Sequence, residues 1–348
     1  MTTANEETMP VEGTVMDGSR GQYHVETADG VLLCTLRGKL RKDLYYADSA
    51  NFRHKARRAV TKARDPVSVG DRVRVVLMGD GKGMIEEVVG VAPGFSREDS
   101  GGKGEIRSVA GIDQVVAVFA ARDPAPHLGL LDRFLVMAEA QDLPAIICLN
   151  KVDLGVDPDL AAMLDVYADL GYPVMRTSVA DEIGLDELRV RLASHTSALL
   201  GPSGVGKSSL LNALEPGLGL RVNGVSELTH KGRHTTSGTR MVHLSGPGGG
   251  ALADTAGIRA FAMGGAAGRL DECFPEFRPY LGTCRHDDCS HSNEPGCAVR
   301  AALATGRISA ARYDSYCRLY EEGAGKIGRH WIDGVSNRSL VGPGEFRM

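Results

Sequence analysis

The chain holds 348 residues, 43% of them hydrophobic and 24% charged, and its 40 basic and 44 acidic side chains leave a formal net charge of −4. That size and balance exclude a disulfide-stapled miniprotein and a disordered chain, and they suggest two or three domains with cores of their own. Any nucleic-acid contact must come from local basic patches, because the global field is slightly acidic.

Residues 1 to 10 read as a flexible polar tail without an apolar signal core. No apolar run approaches the roughly 20 residues a membrane-spanning helix needs, so a cytoplasmic protein with no membrane partner is expected. Short alternating segments follow near 11 to 16, 22 to 27, 31 to 36, 72 to 78 and 84 to 91, enough for a small five-stranded barrel over 11 to 95. Between the third and fourth, Arg37 to Arg64 carries ten Lys and Arg against two Asp, interrupted by Tyr45, Tyr46 and Phe52. It is either a solvated loop or an arm that tracks phosphates and stacks on unpaired bases.

From about 105 the pattern turns to alternating strands and helices. Gln114 to Ala120 and Ala145 to Leu149 are continuous apolar runs, as in a parallel sheet covered on both faces. Between them Leu128, Leu131, Leu135 and Ala138 have helical spacing. Asp157-Pro158 supplies a helix N-cap followed by Pro at the first turn, and Gly171 suits a left-handed stop. Further strands at about 172 to 177, 197 to 201, 240 to 244 and 250 to 254 complete an α/β domain. Beyond about 262 the chain turns rich in Cys and His, and a last helix is expected near 309 to 322.

Three motifs within the α/β region carry chemistry. Gly201-Pro202-Ser203-Gly204-Val205-Gly206-Lys207-Ser208 fits G-x-x-x-x-G-K-[ST], after an apolar strand and before a helix, which is the context a P-loop requires. Gly201, Ser203, Gly204, Val205, Gly206, Lys207, Ser208 and Ser209 are the expected phosphate-binding residues, with Lys207 reaching the β and γ phosphates and Ser208 binding Mg²⁺. Asp254-Thr255-Ala256-Gly257 follows another apolar strand, so Asp254 can hold the Mg²⁺ shell while the Gly257 amide approaches the γ-phosphate. Asn150-Lys151-Val152-Asp153 also ends a buried strand. A carboxylate at Asp153 accepts from guanine N1–H and N2–H₂, groups adenine lacks, while Asn150 supports the loop and the Lys151 stem covers the ring. Ser178-Val179-Ala180 ends the next strand, with the Val179 amide placed to donate to guanine O6. Each motif alone has a bland reading as a surface turn. Together they specify a GTP/GDP site.

Their order is unusual, because the guanine-reading motifs precede the P-loop. With its N-terminal barrel and Cys/His-rich end, the chain resembles the ribosome small-subunit-dependent GTPase A family (RsgA, also called YjeQ) over nearly its whole length. The resemblance implies a multidomain fold: an OB-fold β-barrel that binds RNA over 11 to 95, a circularly permuted α/β P-loop GTPase domain over 105 to 262, and a mostly helical zinc-binding domain over 263 to 348. It further implies binding to the 30S subunit and its 16S rRNA, ribosome-stimulated hydrolysis of GTP to GDP and phosphate, and assistance to late maturation of that subunit. A monomer is expected. Because of the permutation, the segment after D-T-A-G runs from Ile258 straight into the Cys-rich module, so a γ-phosphate-dependent shift there is expected to pull on it.

Ras-like enzymes place a water-orienting Gln where this chain has Ile258, so unassisted turnover should be slow. A GTP-binding RNA scaffold with little hydrolysis is the alternative. Gly232-Arg233-His234-Thr235-Thr236 resembles the family's G-R-H-T-T stretch, which implies that Thr235 or Thr236 closes on Mg²⁺ and the γ-phosphate. His234 can then position water, with His230 as its rival. Cys284, Cys289, His291 and Cys297 offer three thiolates and one imidazole within 14 positions, the donor set of closed structural zinc sites. His286 could replace His291; the resemblance favours His291. Arg285, Arg300 and Arg307 either face RNA or are simply solvated. Cys273 and Cys317 fall within helical patterns and, with Cys34 and Cys148, are read as packing residues.

Overall fold

The computed structural model describes residues 10–19, 21–38, 67–89, 94–98, 105–218, 240–245, 248–254 and 269–323. The basic 37 to 64 segment beyond Gly38, the G-R-H-T-T stretch with His230, and residues 255 to 268 lie outside them.

Strands β1 (Val11–Ser19), β2 (Gln22–Thr27), β3 (Gly30–Leu36), β4 (Arg72–Gly79) and β5 (Lys82–Val88) close into a barrel of order β1-β2-β3-β5-β4. Closure works because alternate positions point inward: Val15, Tyr23, Val25, Cys34, Val73, Val75 and Ile85 form one buried cluster. Outward-facing charges pair across strands, Arg72 with Glu12, Arg74 with Glu87 and Arg37 with Glu86.

An antiparallel pair, β6 (Gly94–Glu98) and β7 (Glu105–Ala110), leads into a six-stranded sheet. That sheet contains β8 (Gln114–Ala120), β9 (Ala145–Asn150), β10 (Val174–Arg176), β11 (Thr196–Leu200), β12 (Arg240–His243) and β13 (Ala251–Asp254), ordered β10-β9-β8-β11-β13-β12. Every strand is parallel to its neighbour except β12, which pairs antiparallel with β13 at one edge. The uninterrupted apolar run of β8 now has its reason, since all seven positions are buried. Val115, Ala117 and Phe119 pack on one face against α1 (Leu128–Glu139) and α2 (Pro158–Asp169), through Leu131, Phe134, Leu160 and Tyr167. Val116, Val118 and Ala120 pack on the other against α3 (Leu185–Leu192) and α4 (Lys207–Leu214), through Leu188, Leu192, Leu210 and Leu211. Asp157 caps α2, its side chain accepting from the Asp159 amide, and Gly171 takes φ +94° after the helix ends.

The barrel rests against the sheet edge. β1 lies beside β12, and Glu26 meets His243 at 2.5 Å. The Gly70 amide donates to Val15 at 2.7 Å, and Ala110 donates to Val69 at 2.8 Å. Gly70 stands at φ +86°, and a Cβ there would sit 1.9 Å from the Ala110 oxygen, so the two backbones approach as closely as only glycine permits.

Residues 1–266 form one compact unit and 267–348 a second. Within the second, turns around 270–283 lead to α5 (Ala298–Ala304) and α6 (Ala310–Gly323). Its interior is a small aromatic cluster: Phe274, Phe277 and Tyr316 have ring centroids 4.8 to 5.4 Å apart. Arg312 is fully buried, paired with Glu276 through contacts of 2.6 and 3.1 Å and lying 4.6 Å over the Phe274 ring. Cys34 and Cys148 are buried in strands and Cys317 is half-buried in α6, but Cys273 sits in a turn and not a helix. Its helical spacing comes from a run of tight turns whose repeat imitates one. No described helix is long and apolar enough to cross a membrane.

Candidate nucleotide site and metal centre

The motif residues gather where parallel strands end. β9 ends at Asn150, β11 at Leu200 just before the P-loop, and β13 at Asp254, whose backbone pairs in register with Leu199. In open α/β sheets this carboxyl edge is where ligands bind. The Asn150 amide Nδ2 donates to the Val205 carbonyl at 2.9 Å, tying the N-K-V-D loop to the P-loop across 55 residues of sequence. Thr177 donates to Asn150 Oδ1 at 3.1 Å, and the Cys148 thiol lies 3.4 Å from the Thr177 hydroxyl. All three side chains are buried, so this chain of polar groups fixes which way the Asn150 amide faces. Burial pushes the Cys148 thiol up to about 11, which leaves it a neutral partner in the chain.

Ser178 donates from its hydroxyl to Asp153 Oδ1 at 2.6 Å and accepts from the Asp181 amide at 3.1 Å. Asp153 itself is exposed, facing outward from the short 3₁₀ turn that follows β9. Lys151 stands at φ +59° and donates its ammonium to the Asp123 carbonyl, and Val179 is half-buried beside the α3–α4 cluster. The P-loop wraps the start of α4. Lys207 Nζ donates to the carbonyls of Gly201 and Pro202, at 2.7 and 2.9 Å, and Ser208 and Ser209 open the helix. Gly206 takes φ +99°, and a Cβ there would fall 2.3 Å from Asn150 Nδ2. Ser203 and Gly204 form the exposed turn of the loop, while Val205 is buried. The glycines thus leave a backbone cradle at a helix start, the arrangement that receives phosphates. A serine hydroxyl and an aspartate carboxylate are hard oxygen donors of the kind Mg²⁺ takes, and Ser208 and Asp254 bring these residue types to the carboxyl edge. Gly257, Ile258, His234, Thr235 and Thr236 fall outside the described residues.

In the second unit Cys284, Cys289, His291 and Cys297 present donor atoms that all lie within 4.8 Å of one another. His291 Nδ1 is 3.5 Å from Sγ of both Cys284 and Cys297, and those two sulfurs are 4.0 Å apart. A tetrahedral zinc with Zn–S near 2.3 Å and Zn–N near 2.0 Å sets edges of about 3.5 Å for S···N and about 3.8 Å for S···S, so the donor set fits that ion. Backbone amides of Ala298 and Arg300 donate to Cys284 and Cys297 sulfur at 3.3 and 3.5 Å. Tyr313 donates to the His291 and Ser292 carbonyls, and Tyr316 to the Ser290 carbonyl, pinning the ligand loop to α6. The Ser290 hydroxyl, with nearby backbone amides, holds the Glu294 carboxyl down at about 2. His286, the sequence alternative to His291, is exposed and outside the cluster. Arg285, Arg300 and Arg307 are exposed.

The residues that sequence reasoning passed over are Thr177 and Cys148 behind Asn150, and Tyr313 and Tyr316 behind the metal loop. A Thr beside S-V-A was open to notice; the tyrosines have no local signature, because they reach the loop from more than 20 positions away.

The sequence model of the RsgA GTPase family matches residues 94–264. The small ribosomal subunit biogenesis GTPase RsgA of Gemmatimonas aurantiaca is 43% identical over 92% of this chain and 99% of its own length. Its Moorella thermoacetica counterpart is 37% identical over 90% and 97%. Among solved structures, Thermotoga maritima YjeQ superposes with a TM-score of 0.67 at 30% identity, covering 91% of this chain and 99% of its own. YloQ, described as a circularly permuted GTPase, superposes at 0.63 with 29% identity, covering 94% of this chain and all of its own. With its N-K-V-D loop placed ahead of the P-loop in sequence and against it in space, this chain belongs to the RsgA GTPase family of GTP-hydrolysing enzymes.

Proposed function

We propose that this chain binds the 30S ribosomal subunit through its 16S rRNA, hydrolyses GTP to GDP and phosphate when that surface stimulates it, and assists late maturation of the subunit. The bond from Asn150 to Val205 carries the nucleotide half of this reading, because it ties the N-K-V-D loop to the P-loop. The two relatives above, both small ribosomal subunit biogenesis GTPases by name, support the ribosomal half.

In this reading Asp153 accepts from guanine N1–H and N2–H₂, and Ser178 orients its carboxylate. Adenine would leave that carboxylate unpaired against acceptor atoms. The Val179 amide serves O6, Asn150 braces the loop, and the Lys151 stem lies along the ring. The backbone of Gly201, Ser203, Gly204, Val205 and Gly206, with the start of α4 at Ser208 and Ser209, holds the phosphates. Lys207 exchanges its carbonyl partners for phosphate oxygens. Ser208 and Asp254 hold Mg²⁺, which when bound neutralises charge on the phosphates. Gly257 meets the γ-phosphate, Thr235 or Thr236 closes over it, and His234 orients the attacking water in place of the Gln that Ile258 displaces. Cys284, Cys289, His291 and Cys297 hold one Zn²⁺ with every position filled, a structural ion. The barrel over 11 to 95 and the module over 263 to 348 grip RNA on behalf of the GTPase domain over 105 to 262, and the protein works as a cytoplasmic monomer.

The absence of a Gln at 258 favours a second reading, an RNA-binding scaffold that holds GTP and barely turns it over. GTP turnover measured with and without purified 30S subunits separates the two. We expect slow intrinsic release of phosphate and a rise of at least tenfold on adding 30S. Unchanged turnover overturns the enzyme-on-ribosome reading.

A further inference from the structure

Asp271 belongs to no donor set, yet its Oδ2 lies 3.5 Å from His291 Nε2. That is the ring nitrogen opposite the one facing the thiols, since Nδ1 is the atom 3.5 Å from Cys284 and Cys297 sulfur. A neutral imidazole has one nitrogen lone pair in the ring plane and one N–H, so a ring that gives its Nδ1 lone pair to a metal must carry its proton on Nε2. The Asp271 carboxylate lies within ion-pair distance of that nitrogen, at 3.5 Å. We propose that Asp271 is the positioning residue of the metal centre: it accepts the Nε2–H of His291 and thereby selects Nδ1 as the ligand atom. The proposal rests on the zinc reading above.

Other contacts hold His291 without making this choice. Its backbone stands in the left-handed region at φ +60°, its carbonyl accepts from Tyr313 at 2.7 Å, and its ring meets the Phe277 ring edge-on at 78°. These fix the main chain and the neighbourhood of the ring. A half-turn of the ring about its bond to Cβ would still leave the same outline, but it would put a carbon where Nδ1 now faces the thiols. Asp271 breaks that near-symmetry, because only one orientation gives its oxygen an N–H. Charge points the same way. Three thiolates around Zn²⁺ carry a net negative charge, so a carboxylate nearby is tolerated only with a proton donor between them, and the imidazole N–H supplies it. Outer partners of this kind typically change metal affinity by about 10- to 100-fold when removed.

The test uses the full chain and zinc alone. Zinc content is measured first, then zinc affinity by competition with a colorimetric chelator, for wild type, Asp271→Ala, Asp271→Asn and the control Asp314→Asn. Asp314 is an exposed carboxylate engaged with Arg318. In parallel, ¹⁵N-histidine-labelled wild-type protein reports which ring nitrogen of His291 binds metal, assigned through a His291→Asn spectrum. We expect one zinc per wild-type chain, ligation through Nδ1, a loss of affinity of about 10- to 100-fold in both Asp271 variants, and none in the control. If Asp271→Ala does not fold, Asp271→Asn and the wild-type spectrum decide. Ligation through Nε2, or affinity within twofold of wild type in the Asp271 variants, overturns the proposal while leaving the zinc centre intact. A wild-type chain that retains no zinc overturns both.

Discussion

The nucleotide-binding sheet and the Cys/His module solve the same stability problem by different means. The sheet buries two apolar layers: β8 alone places seven buried residues between helices on both faces, and the clusters on either side include Phe119, Phe134, Leu164, Leu210 and Leu211. The module, described over 269–323, has an interior of Phe274, Phe277, Tyr316, Leu319, Val299 and Ile308, with an Arg–Glu pair embedded in it. So small an apolar core rarely suffices by itself, and the Cys/His donor set could supply the missing constraint by holding a metal ion. One region is held by area, the other by a few directional contacts. Function follows that division. The large core keeps the Asn150 chain of hydrogen bonds rigid under the N-K-V-D loop, while the module offers a Cys/His set whose ion, once bound, would hold its shape and could be removed.

Removing that ion should have the largest effect. Structural zinc contributes apparent binding energies of about 10 kcal/mol or more in small domains. Chelation, or Cys297→Ser, is therefore expected to abolish hydrogen-exchange protection across 284–304 while the GDP affinity of the first unit stays unchanged. Retained protection in the zinc-free chain would break the contrast. Next comes the buried pair: Arg312→Met leaves Glu276 without its cation and should cost about 3 to 5 kcal/mol, read by denaturant titration of the module's tyrosine signal. In the first unit a comparable loss needs a backbone clash. Gly70→Ala forces a Cβ against the Ala110 oxygen at a positive φ, so we expect a destabilisation of about 2 kcal/mol or more, visible as a lower thermal midpoint without loss of the P-loop.

The smallest expected effect is electrostatic. Glu215, just past α4, accepts from the Ser245 hydroxyl and amide at 2.6 and 2.7 Å, and these bonds, with the Ser245 hydroxyl first, lower its pKa. A carboxyl lowered in the folded state stabilises above its unfolded pKa, and the contribution drains away as pH falls through the carboxylate range. Glu215→Gln should flatten the acid side of the stability profile of the first unit and leave the neutral side lower by under about 1 kcal/mol. An unaltered profile would show that this turn adds nothing.

How much of this was legible in the linear chain depended on whether the signal was local. The barrel strands, the β8 run, the Asp157 cap and the Gly171 stop are written in consecutive residues, and each appears where its pattern put it. The β6–β7 pair escaped because Gly94–Glu98 and Glu105–Ala110 are short, largely polar and split by a Gly-rich stretch. Helix α3 escaped too. It is eight residues long, follows an N-cap, Gly184, that has no capping side chain, and has Val190 exposed among charges. In the nucleotide site the motif letters were readable, but the Asn150–Val205 bond, which makes two motifs one site, spans 55 positions. The Glu276–Arg312 pair and the approach of Gly70 to Ala110 are equally non-local, as is the contact of Asp271 with His291. Such contacts leave no periodicity, because they arise only when separate elements are folded together.

The placement of β12 carries one more consequence. Among the described strands it is one of the two edge strands and the only antiparallel member of the sheet, and an uncovered strand in that position offers unsatisfied backbone groups to any passing chain. The barrel lies over it, with β1 alongside and Glu26 at His243. Severing the first hundred residues would therefore not liberate a tidy nucleotide-binding fragment; it would bare an adhesive rim, and the truncated protein should self-associate during expression.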